Sequence, residues 1–407
     1  MDPVKLGIIG TGQRCIYFFV PFIRSFPEKA KLIGIADKDP LRLSSAEQDI
    51  GMSLKSYLNY EDLLSDPEIE AVIITTPDST HREIFEKALS SGKDILCEKP
   101  LATTIEDAVH MAKISLGKSN VTQLGFMLRY SPFYTKLKEI VDKGSIGKIE
   151  HIKIFETVES YHGATYFRRW HRFVKKSGGL LVHKACHTLD IANWLIGNKP
   201  SWVSGEGGIN SFIEKEGTSM HCKDCQFRHN CLASYRFGGW NWNYLNQEER
   251  KIIENDNNDL CVYQTAKDSI DNAIVNVKYL NDVNIEYNFS TTGNFQERHF
   301  TIHGSSGVII ASQHENNILI SQTNHPDQSI KTYTRRSDEH GEGDNPLMDD
   351  FINSVLTRQV PIADILSGCM SVAIGDTATK SINSNSKWIN IDSQLSFLPD
   401  NFKSDKS

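Results

Sequence analysis

Residues 4–15 read VKLGIIGTGQRC, and this stretch decides the fold of the N-terminal part of the chain. Its first six residues form the short apolar run that a strand buried on both faces requires. Gly10 and Gly12 then allow a tight turn and a close approach of a pyrophosphate to the backbone. A helix that starts near Arg14 would point its free N–H groups at that negative charge. The stretch therefore predicts a dinucleotide-binding strand–turn–helix unit.

A second strand, at 31–37, supports this interpretation because it ends in an acid, Asp37, at the expected distance of about 20 residues. Asp37 is predicted to accept the ribose hydroxyls. Its charge would repel a 2′-phosphate, so NAD is favoured over NADP, although Lys38 and Arg42 lie nearby. Cys15 replaces the usual third glycine. The cofactor-binding residues predicted from these two segments are Gly10, Thr11, Gly12, Gln13, Arg14 and Asp37.

The composition limits the classes of protein to which the chain can belong. At 407 residues it is long enough for two domains, each with a sizeable core. The formal charge of −7 and the lack of a basic cluster argue against a nucleic-acid partner, and no apolar stretch is long enough to span a bilayer. Because the first strand begins almost at Met1, no secretion signal is expected and a cytoplasmic location is predicted. The eight cysteines are then expected to be reduced.

The order of helical and strand patterns predicts two domains. The patterns alternate in the first third of the chain, as a doubly wound parallel sheet requires, and strands separated by turns dominate later. We therefore predict an α/β chain with a Rossmann domain over 1–126. A substrate and oligomerisation domain over 127–345 would contain an open, mainly antiparallel sheet and a cysteine-bearing insertion at 210–272. Residues 346–407 are predicted to form helices that pack back near the first domain, followed by a tail.

Further motifs lie along the chain at 76–81 (TPDSTH), 98–100 (EKP), 125–130 (GFMLRY), 144–148 (GSIGK) and 177–181 (SGGLL). Together with the glycine turn and Asp37, they resemble the glucose-fructose oxidoreductase, inositol dehydrogenase and rhizopine-catabolism (Gfo/Idh/MocA) family over nearly the whole chain. The resemblance implies hydride transfer with a small sugar or polyol, and an open sheet that forms a homo-oligomer interface, in a dimer or a tetramer. It extends the predicted NAD site to Thr76, Pro77, His81, Glu98 and Lys99.

The same resemblance implies three catalytic residues. Lys99 matches the family's catalytic lysine, and an ammonium at the carboxyl end of a strand can stabilise the alkoxide that forms as hydride leaves. His187 matches the family histidine within 178–190, a candidate general base near neutral pH. His183 replaces the family's aspartate and is predicted as a further base. Because these histidines are four apart on a predicted helix and would share one face, a divalent metal site stays open as an alternative.

The segment 161–172 is dense in aromatic and donor groups. Such residues would stack on a sugar ring and bind its hydroxyls, although a packed loop with surface arginines would have the same composition. The substrate contacts predicted here are Tyr161, His162, Arg168 and Trp170, and the family motifs add Arg129, Tyr130 and Asp190.

Four cysteines in the predicted insertion give a separate signal. Cys222, Cys225 and Cys231 have the spacing C-x2-C-x5-C, and Cys261 supplies a fourth thiol. This pattern predicts a structural zinc site, since a polar insertion with few core residues needs a covalent or metal link. An iron–sulfur cluster and unliganded thiols are the alternatives. No catalytic role is assigned to this site.

Three functions are compatible with these residues. The first is an NAD-dependent oxidoreductase that acts on a sugar, polyol or glycoside. The second, known among relatives, is a glycoside hydrolase or lyase that keeps NAD bound through oxidation, elimination, hydration and reduction. The third is a sugar or cofactor sensor without turnover. The presence of both Lys99 and His187 argues for an enzyme.

Overall fold

A computed structural model describes residues 2–235, 259–333 and 342–399 of the chain. The first sheet contains β1 (Val4–Ile9), β2 (Ala30–Ala36), β3 (Lys55–Tyr57), β4 (Ala71–Ile74), β5 (Asp94–Cys97) and β6 (Thr122–Leu124). All its strands are parallel, in the order β3-β2-β1-β4-β5-β6. The strand order reverses between β1 and β4, so a crevice for a ligand opens at their carboxyl ends. The predicted doubly wound sheet is confirmed.

The helices of this first part are α1 (Val20–Ser25), α2 (Pro40–Ile50), α3 (Tyr60–Ser65), α4 (His81–Ser90) and α5 (Ile105–Ser115). The helix expected near Arg14 begins instead with one π turn, Cys15–Phe19, before α1. Pro21 explains why the first turn is not a regular α-helix, because it has no N–H to donate to the carbonyl of residue 17.

The second sheet contains β7 (Ile149–Glu159), β8 (Pro200–Gly208), β9 (Asn272–Tyr279), β10 (Asn284–Gly293), β11 (Glu297–Gly304), β12 (Gly307–Ser312), β13 (Asn317–Gln322), β14 (His325–Tyr333) and β15 (Ile389–Asn390). Its order is β14-β13-β12-β11-β7-β10-β9-β8-β15, and only the β7–β10 pair is parallel among the described strands. The prediction of an open, mainly antiparallel sheet is confirmed.

The remaining helices are α6 (Pro132–Asp142), α7 (Ser160–Arg168), α8 (Val174–Ser177), α9 (Leu180–His183), α10 (Cys186–Ile196), α11 (Asp344–Thr357) and α12 (Ile365–Ile382). Helix α12 contacts α5 of the first part and also α9, α10 and β8. The C-terminal helices thus lie against both sheets. The predicted insertion includes residues 236–258, and the predicted tail includes 400–407; both segments lie outside the described residues.

Each sheet buries one or both faces in the way its sequence pattern predicts. Strand β4 is buried along its whole length, as parallel strands covered on both faces are. Strand β9 alternates between buried and more exposed positions, so one face of the second sheet packs on helices and the other is open. In the described part of the chain, we find no helix with the length and apolar character needed to span a bilayer.

Candidate active site

The glycine turn follows β1 at the carboxyl edge of the first sheet. Gly10 has a φ of +96°, and a Cβ atom there would lie 2.9 Å from the carbonyl carbon of Thr75 and from the amide nitrogen of Thr76. Only glycine fits this position. A Cβ atom at Gly12 would meet nothing within 4 Å. Gly12 therefore borders open space, as a turn that receives a pyrophosphate requires.

Asp37 is held against the glycine turn. Its Oδ2 accepts hydrogen bonds from the Thr11 amide at 2.9 Å and the Thr11 hydroxyl at 3.0 Å, and its Oδ1 accepts from the Asp39 amide at 3.0 Å. Arg42 lies 3.7 Å from the Asp39 carboxylate. The fixed negative charge stands where a ribose would bind, and the nearest arginine has an acid beside it. This arrangement fits NAD better than a 2′-phosphorylated cofactor.

Arg14 links the glycine turn to two acids. Its Nε donates to Glu98 Oε1 at 2.5 Å, and Nη2 pairs with Asp344 at the start of α11. The guanidinium carbon lies 4.2 Å from the centre of the Phe18 ring. Glu98 also accepts from the Lys99 amide at 3.0 Å. The Arg14–Glu98 ion pair therefore connects the glycine turn to the residues that follow β5. The adjacent Gln13 is exposed.

Lys99 follows β5 and precedes a cis peptide bond to Pro100. Its Nζ donates to the peptide oxygen of His183 at 3.2 Å. Beneath it, the buried His81 ring spans two carbonyl oxygens, with Nδ1 2.8 Å from Pro100 O and Nε2 2.9 Å from Thr76 O. His81 thereby joins the turns that follow β4 and β5. The partly exposed Thr76 and the exposed Pro77 lie in the first of these turns.

His183 pairs with an acid of the first domain. Its Nδ1 lies 2.5 Å from Oδ2 of Asp78, and the two residues are 8% and 5% exposed. Three rings surround the imidazole, with centroid distances of 4.4 Å to His171, 5.6 Å to Tyr166 and 5.8 Å to Trp170. The Trp170 and His171 rings are themselves stacked at 3.9 Å. We call these four side chains (Tyr166, Trp170, His171 and His183) the ring cluster. Lys99 lies beside it, because its Nζ donates to the peptide oxygen of His183.

Burial controls the ionisation of this group. It lowers the pKa values of His171 and His183 well below the usual range, and the positive charge of Lys99 acts in the same direction. Burial also raises the pKa of Asp78 to about 7, against the opposing effect of His81 and Lys99. The imidazoles are therefore neutral at neutral pH and able to accept protons.

His187 lies in α10, not in the helix that contains His183. The Leu180 carbonyl accepts from the amides of both Lys184 and Ala185, at 3.0 and 2.9 Å, which ends α9 before α10 begins. The prediction that both histidines share one helix face was therefore wrong. His187 is buried, with its ring 6.1 Å from that of Phe126. Among the described residues, no group of three or more His, Cys, Asp or Glu side chains is placed to hold a metal.

Three predicted substrate contacts face protein partners. Arg129 forms a bidentate ion pair with Asp190, at 2.8 and 2.7 Å, and both are buried. Tyr130 donates to Asp350 at 2.7 Å in α11. The pairs join the 3₁₀ turn Met127–Tyr130 to α10 and α11. Substrate contact by these three residues stays a prediction.

The other predicted substrate residues lie on or after α7. His162 Nε2 is 3.0 Å from the Tyr166 hydroxyl, and both Tyr161 and His162 are partly exposed. Trp170 belongs to the ring cluster. Arg168 is 2% exposed, and its guanidinium nitrogens have no hydrogen-bond partner within the described ranges. Trp170 thus lies against His183 and His162 against Tyr166, while Arg168 is buried within the protein.

The sequence did not lead us to predict Asp78, His171 or Tyr166 as catalytic or substrate-binding residues, although His171 was considered as a metal ligand beside His183. Asp78 is part of the quoted TPDSTH motif, and the other two belong to the aromatic segment 161–172. The sequence contained a usable signal, because an acid after a buried strand lies at the edge where ligands bind. Its pairing with a residue 105 positions later could not be read from spacing.

The four cysteines of the predicted metal site line one small cavity beside Lys215, Arg228 and Tyr263. The Tyr235 amide donates to Cys222 Sγ at 3.4 Å, and Cys222 and Cys261 are brought together by the bridge between His221 and Leu260. All four are free thiols, and their positions do not form a metal-binding group. The zinc prediction gains no support from this geometry.

Two family models together match most of the chain. The model described as "Oxidoreductase family, NAD-binding Rossmann fold" matches residues 4–126, and "Oxidoreductase family, C-terminal alpha/beta domain" matches residues 138–391. The chain is 25% identical to the putative oxidoreductase YteT of Bacillus subtilis over 92% of this chain and 94% of that protein. It is 34% identical to scyllo-inositol 2-dehydrogenase (NAD(+)) of the same organism, over 53% of this chain and 60% of that one.

Solved structures share the fold. A levoglucosan dehydrogenase in complex with NADH and levoglucosan superposes with a TM-score of 0.74 at 18% identity, covering 96% of this chain and all of that one. A myo-inositol 2-dehydrogenase from Lactobacillus plantarum gives 0.68 at 19% identity, with 96% and 99% coverage.

Proposed function

The chain belongs to the Gfo/Idh/MocA oxidoreductase family, and from that premise we propose that it transfers a hydride between NAD and a secondary hydroxyl of a sugar, polyol or glycoside. The observation that carries the proposal is Lys99 at the carboxyl edge of the first sheet, beside the glycine turn and in contact with His183. The names of two relatives that act on inositol and of a structural neighbour bound to levoglucosan support this substrate class.

The cofactor's nicotinamide would supply the hydride acceptor. Around it, Gly12 leaves room for the pyrophosphate, and Asp37 presents an acceptor for the ribose hydroxyls. Lys99 stabilises the negative charge on the substrate oxygen as the C–H bond breaks. His187 takes the hydroxyl proton, and the carbonyl forms as the hydride departs. His183, with His162 and Trp170 near it, faces the rest of the substrate.

The function is tested by proton NMR of purified protein with excess NAD and a panel of myo-inositol, scyllo-inositol, levoglucosan and methyl glycosides. We expect a keto product and NADH in equal amounts from at least one compound. Absence of both NADH and any product across the panel would contradict the proposal.

A second candidate function, net glycoside hydrolysis, is favoured by one observation. The ring cluster places two neutral imidazoles, His171 and His183, beside Lys99, more bases than hydroxyl oxidation needs. In that cycle a hydroxyl is oxidised, a neighbouring C–H proton is removed, the C–O bond to the aglycone breaks, water adds, and the hydride returns. Free sugar from a methyl glycoside without net NADH would identify this activity.

We keep structural zinc as a proposal for the four-cysteine cavity. The support is the donor set, because four thiols line one cavity and four thiolates are ligands that zinc takes. Eight free cysteines also support a cytoplasmic location. Elemental analysis of protein purified without chelators should give one zinc per chain, and Cys222→Ser should remove it; no metal in the unaltered protein would contradict the proposal.

We also propose that the open face of the second sheet pairs with a second copy of the chain. Phe155, Ile274 and Ile310 lie on that face and are 49%, 45% and 37% exposed. Apolar side chains grouped on one face in this way are typical of a protein–protein interface.

A further inference from the structure

The pair formed by Asp78 and His183 joins the two domains at the site. Asp78 opens the 3₁₀ turn Asp78–Thr80 after β4, and His183 is the last residue of α9. Oδ2 of Asp78 lies 2.5 Å from Nδ1 of His183, within hydrogen-bonding distance. Both side chains are shielded from bulk water. The contact is therefore a built feature of the crevice and not a surface ion pair.

The pair also fixes the tautomer of His183. When Asp78 is ionised, its carboxylate only accepts hydrogen bonds, so Nδ1 carries the imidazole proton and Nε2 is left as the proton acceptor. Lys99 does not compete for the ring, because its Nζ donates to the peptide oxygen of His183. Once Nε2 is protonated, Asp78 stabilises the imidazolium in the way that the acid of a catalytic triad does.

The charged and titratable groups around the pair come from several elements. Asp78 is influenced by His81 of α4, by Lys99 and by Glu98. His183 is influenced by Lys99, Lys184 and His81, and it influences His171 in turn. The positive groups favour the ionised form of Asp78 and the neutral form of His183, so Nε2 is unprotonated and can accept a proton from the substrate.

Hydroxyl oxidation needs a single base, and His187 fills that role in the proposed function. We propose that Asp78 is a positioning residue that makes His183 Nε2 a second base, which removes the proton from the carbon next to the newly formed carbonyl. The C–H bond breaks, the proton goes to Nε2, and the electron pair remains on the substrate as an enolate. A carbonyl acidifies that C–H bond, so a neutral imidazole suffices. The inference rests on the proposed function and extends it.

The test follows hydride transfer and proton exchange in one sample. Myo-inositol, scyllo-inositol and levoglucosan are incubated with enzyme and NAD in D₂O; absorbance reports NADH, and NMR reports deuterium at the carbon next to the carbonyl. In the unaltered enzyme, we expect deuterium to enter faster than in a keto product incubated alone. In Asp78→Asn, we expect the ratio of the exchange rate to the rate of NADH formation to fall by roughly 100-fold, the rate factor typical of a general base.

Two further readouts separate positioning from a structural effect. In the unaltered enzyme, exchange should decline as the pH falls and Asp78 becomes protonated, and Asp78→Asn should lose this limb of the profile. Asp78→Glu, which keeps the carboxylate, should recover part of the exchange rate. Asp142→Asn, at an exposed ion pair with Lys138, is the matched control and should leave the ratio unchanged.

The outcomes are distinguishable. NADH with a stoichiometric keto product, but exchange no faster than in the product alone, would overturn the second base and leave the dehydrogenase intact. An equal fall of NADH formation and exchange in Asp78→Asn would overturn the assignment too, because the pair would then serve the hydride step. Absence of both signals in the unaltered enzyme would contradict the proposed function itself.

Discussion

At the residue scale, the partner of Lys99 is a neutral peptide oxygen, that of His183, and not a carboxylate. A carbonyl acceptor orients the ammonium without neutralising its charge. The full charge therefore remains to stabilise an alkoxide that develops on the substrate. The carboxylate of Asp78 bonds the His183 ring and not the ammonium of Lys99.

This arrangement predicts the effect of removing the ammonium. Lys99→Met keeps the length of the side chain and should lower kcat by roughly 100- to 1,000-fold, the cost of one lost donor at a developing oxyanion. NAD affinity should change little by comparison. Steady-state kinetics with the compound of the panel that is turned over would measure kcat. Lys143→Met, which removes an exposed ion pair, is the control. A kcat within about threefold of the unaltered enzyme would show that Lys99 has no catalytic role.

Asp78 also predicts a dependence of stability on pH. Its pKa is about 7 in the folded chain and about 3.8 in the unfolded one, so the folded state binds more protons between these values. Stability contributed by this group is thus present at low pH and lost as the pH rises towards 7. The depressed pKa values of His171 and His183 act oppositely, since stability from them is lost as the pH falls below about 6.5.

Asp78→Asn removes the first contribution. Relative to that of the unaltered chain, its free energy of unfolding should increase as the pH rises from about 4 to about 7, by up to ~1.4 kcal/mol for each unit of pKa shift. Urea unfolding at several pH values would measure the difference. A difference that does not depend on pH would mean that Asp78 is ionised normally.

At the scale of elements, the glycine turn offers a matched pair of substitutions. Gly10→Ala forces a Cβ against the backbone of Thr75 and Thr76 at a positive φ, and should destabilise the fold by about 1–3 kcal/mol. Gly12→Ala meets open space and should change the stability by no more than about 0.5 kcal/mol. It should nevertheless weaken NAD binding at least tenfold, about 1.4 kcal/mol, because the methyl group occupies the path of the pyrophosphate.

Thermal unfolding and titration calorimetry with NAD would separate the two effects. Unchanged NAD affinity in a folded Gly12→Ala protein would contradict the assignment of this turn to the cofactor.

The same elements show what the sequence could predict. Strands such as β1 and β4 were predictable because a fully buried parallel strand needs an unbroken apolar run. The break between α9 and α10 was not predictable. It depends on the Leu180 carbonyl accepting two hydrogen bonds, and no residue type in the sequence indicates that backbone geometry. The residues around Lys99 could be placed at one sheet edge by topology alone. The meeting of His171 with His183 depends instead on how α7 and α9 pack, which is a long-range property.

At the scale of the whole molecule, the C-terminal helices fasten the two sheets together. Arg14 and Lys29 of the first domain pair with Asp344 and Asp349 of α11, and Arg358 binds the Asp94 carboxylate at 2.8 Å. These contacts fix α11 against the first domain. The outer face of the second sheet remains open.

Charge placed on that open face should break the proposed pairing of copies. Phe155→Asp together with Ile274→Asp should reduce the mass in solution to that of one chain, because a carboxylate buried in an apolar interface without a partner is strongly unfavourable. Light scattering after size-exclusion chromatography would measure it. Leu58→Asp, at a side chain of the first domain that is 59% exposed, should have no effect. A single-chain mass for the unaltered protein would contradict the proposal.

The hydrogen-bonded pair of Asp78 and His183 constrains how the two halves of the gene can recombine. One partner is encoded with the nucleotide-binding half of the gene and the other with the substrate half. A recombinant that joins either half to a counterpart lacking the matching residue would separate the acid from its imidazole, leaving one buried polar group without its partner. The two halves are therefore not freely exchangeable modules.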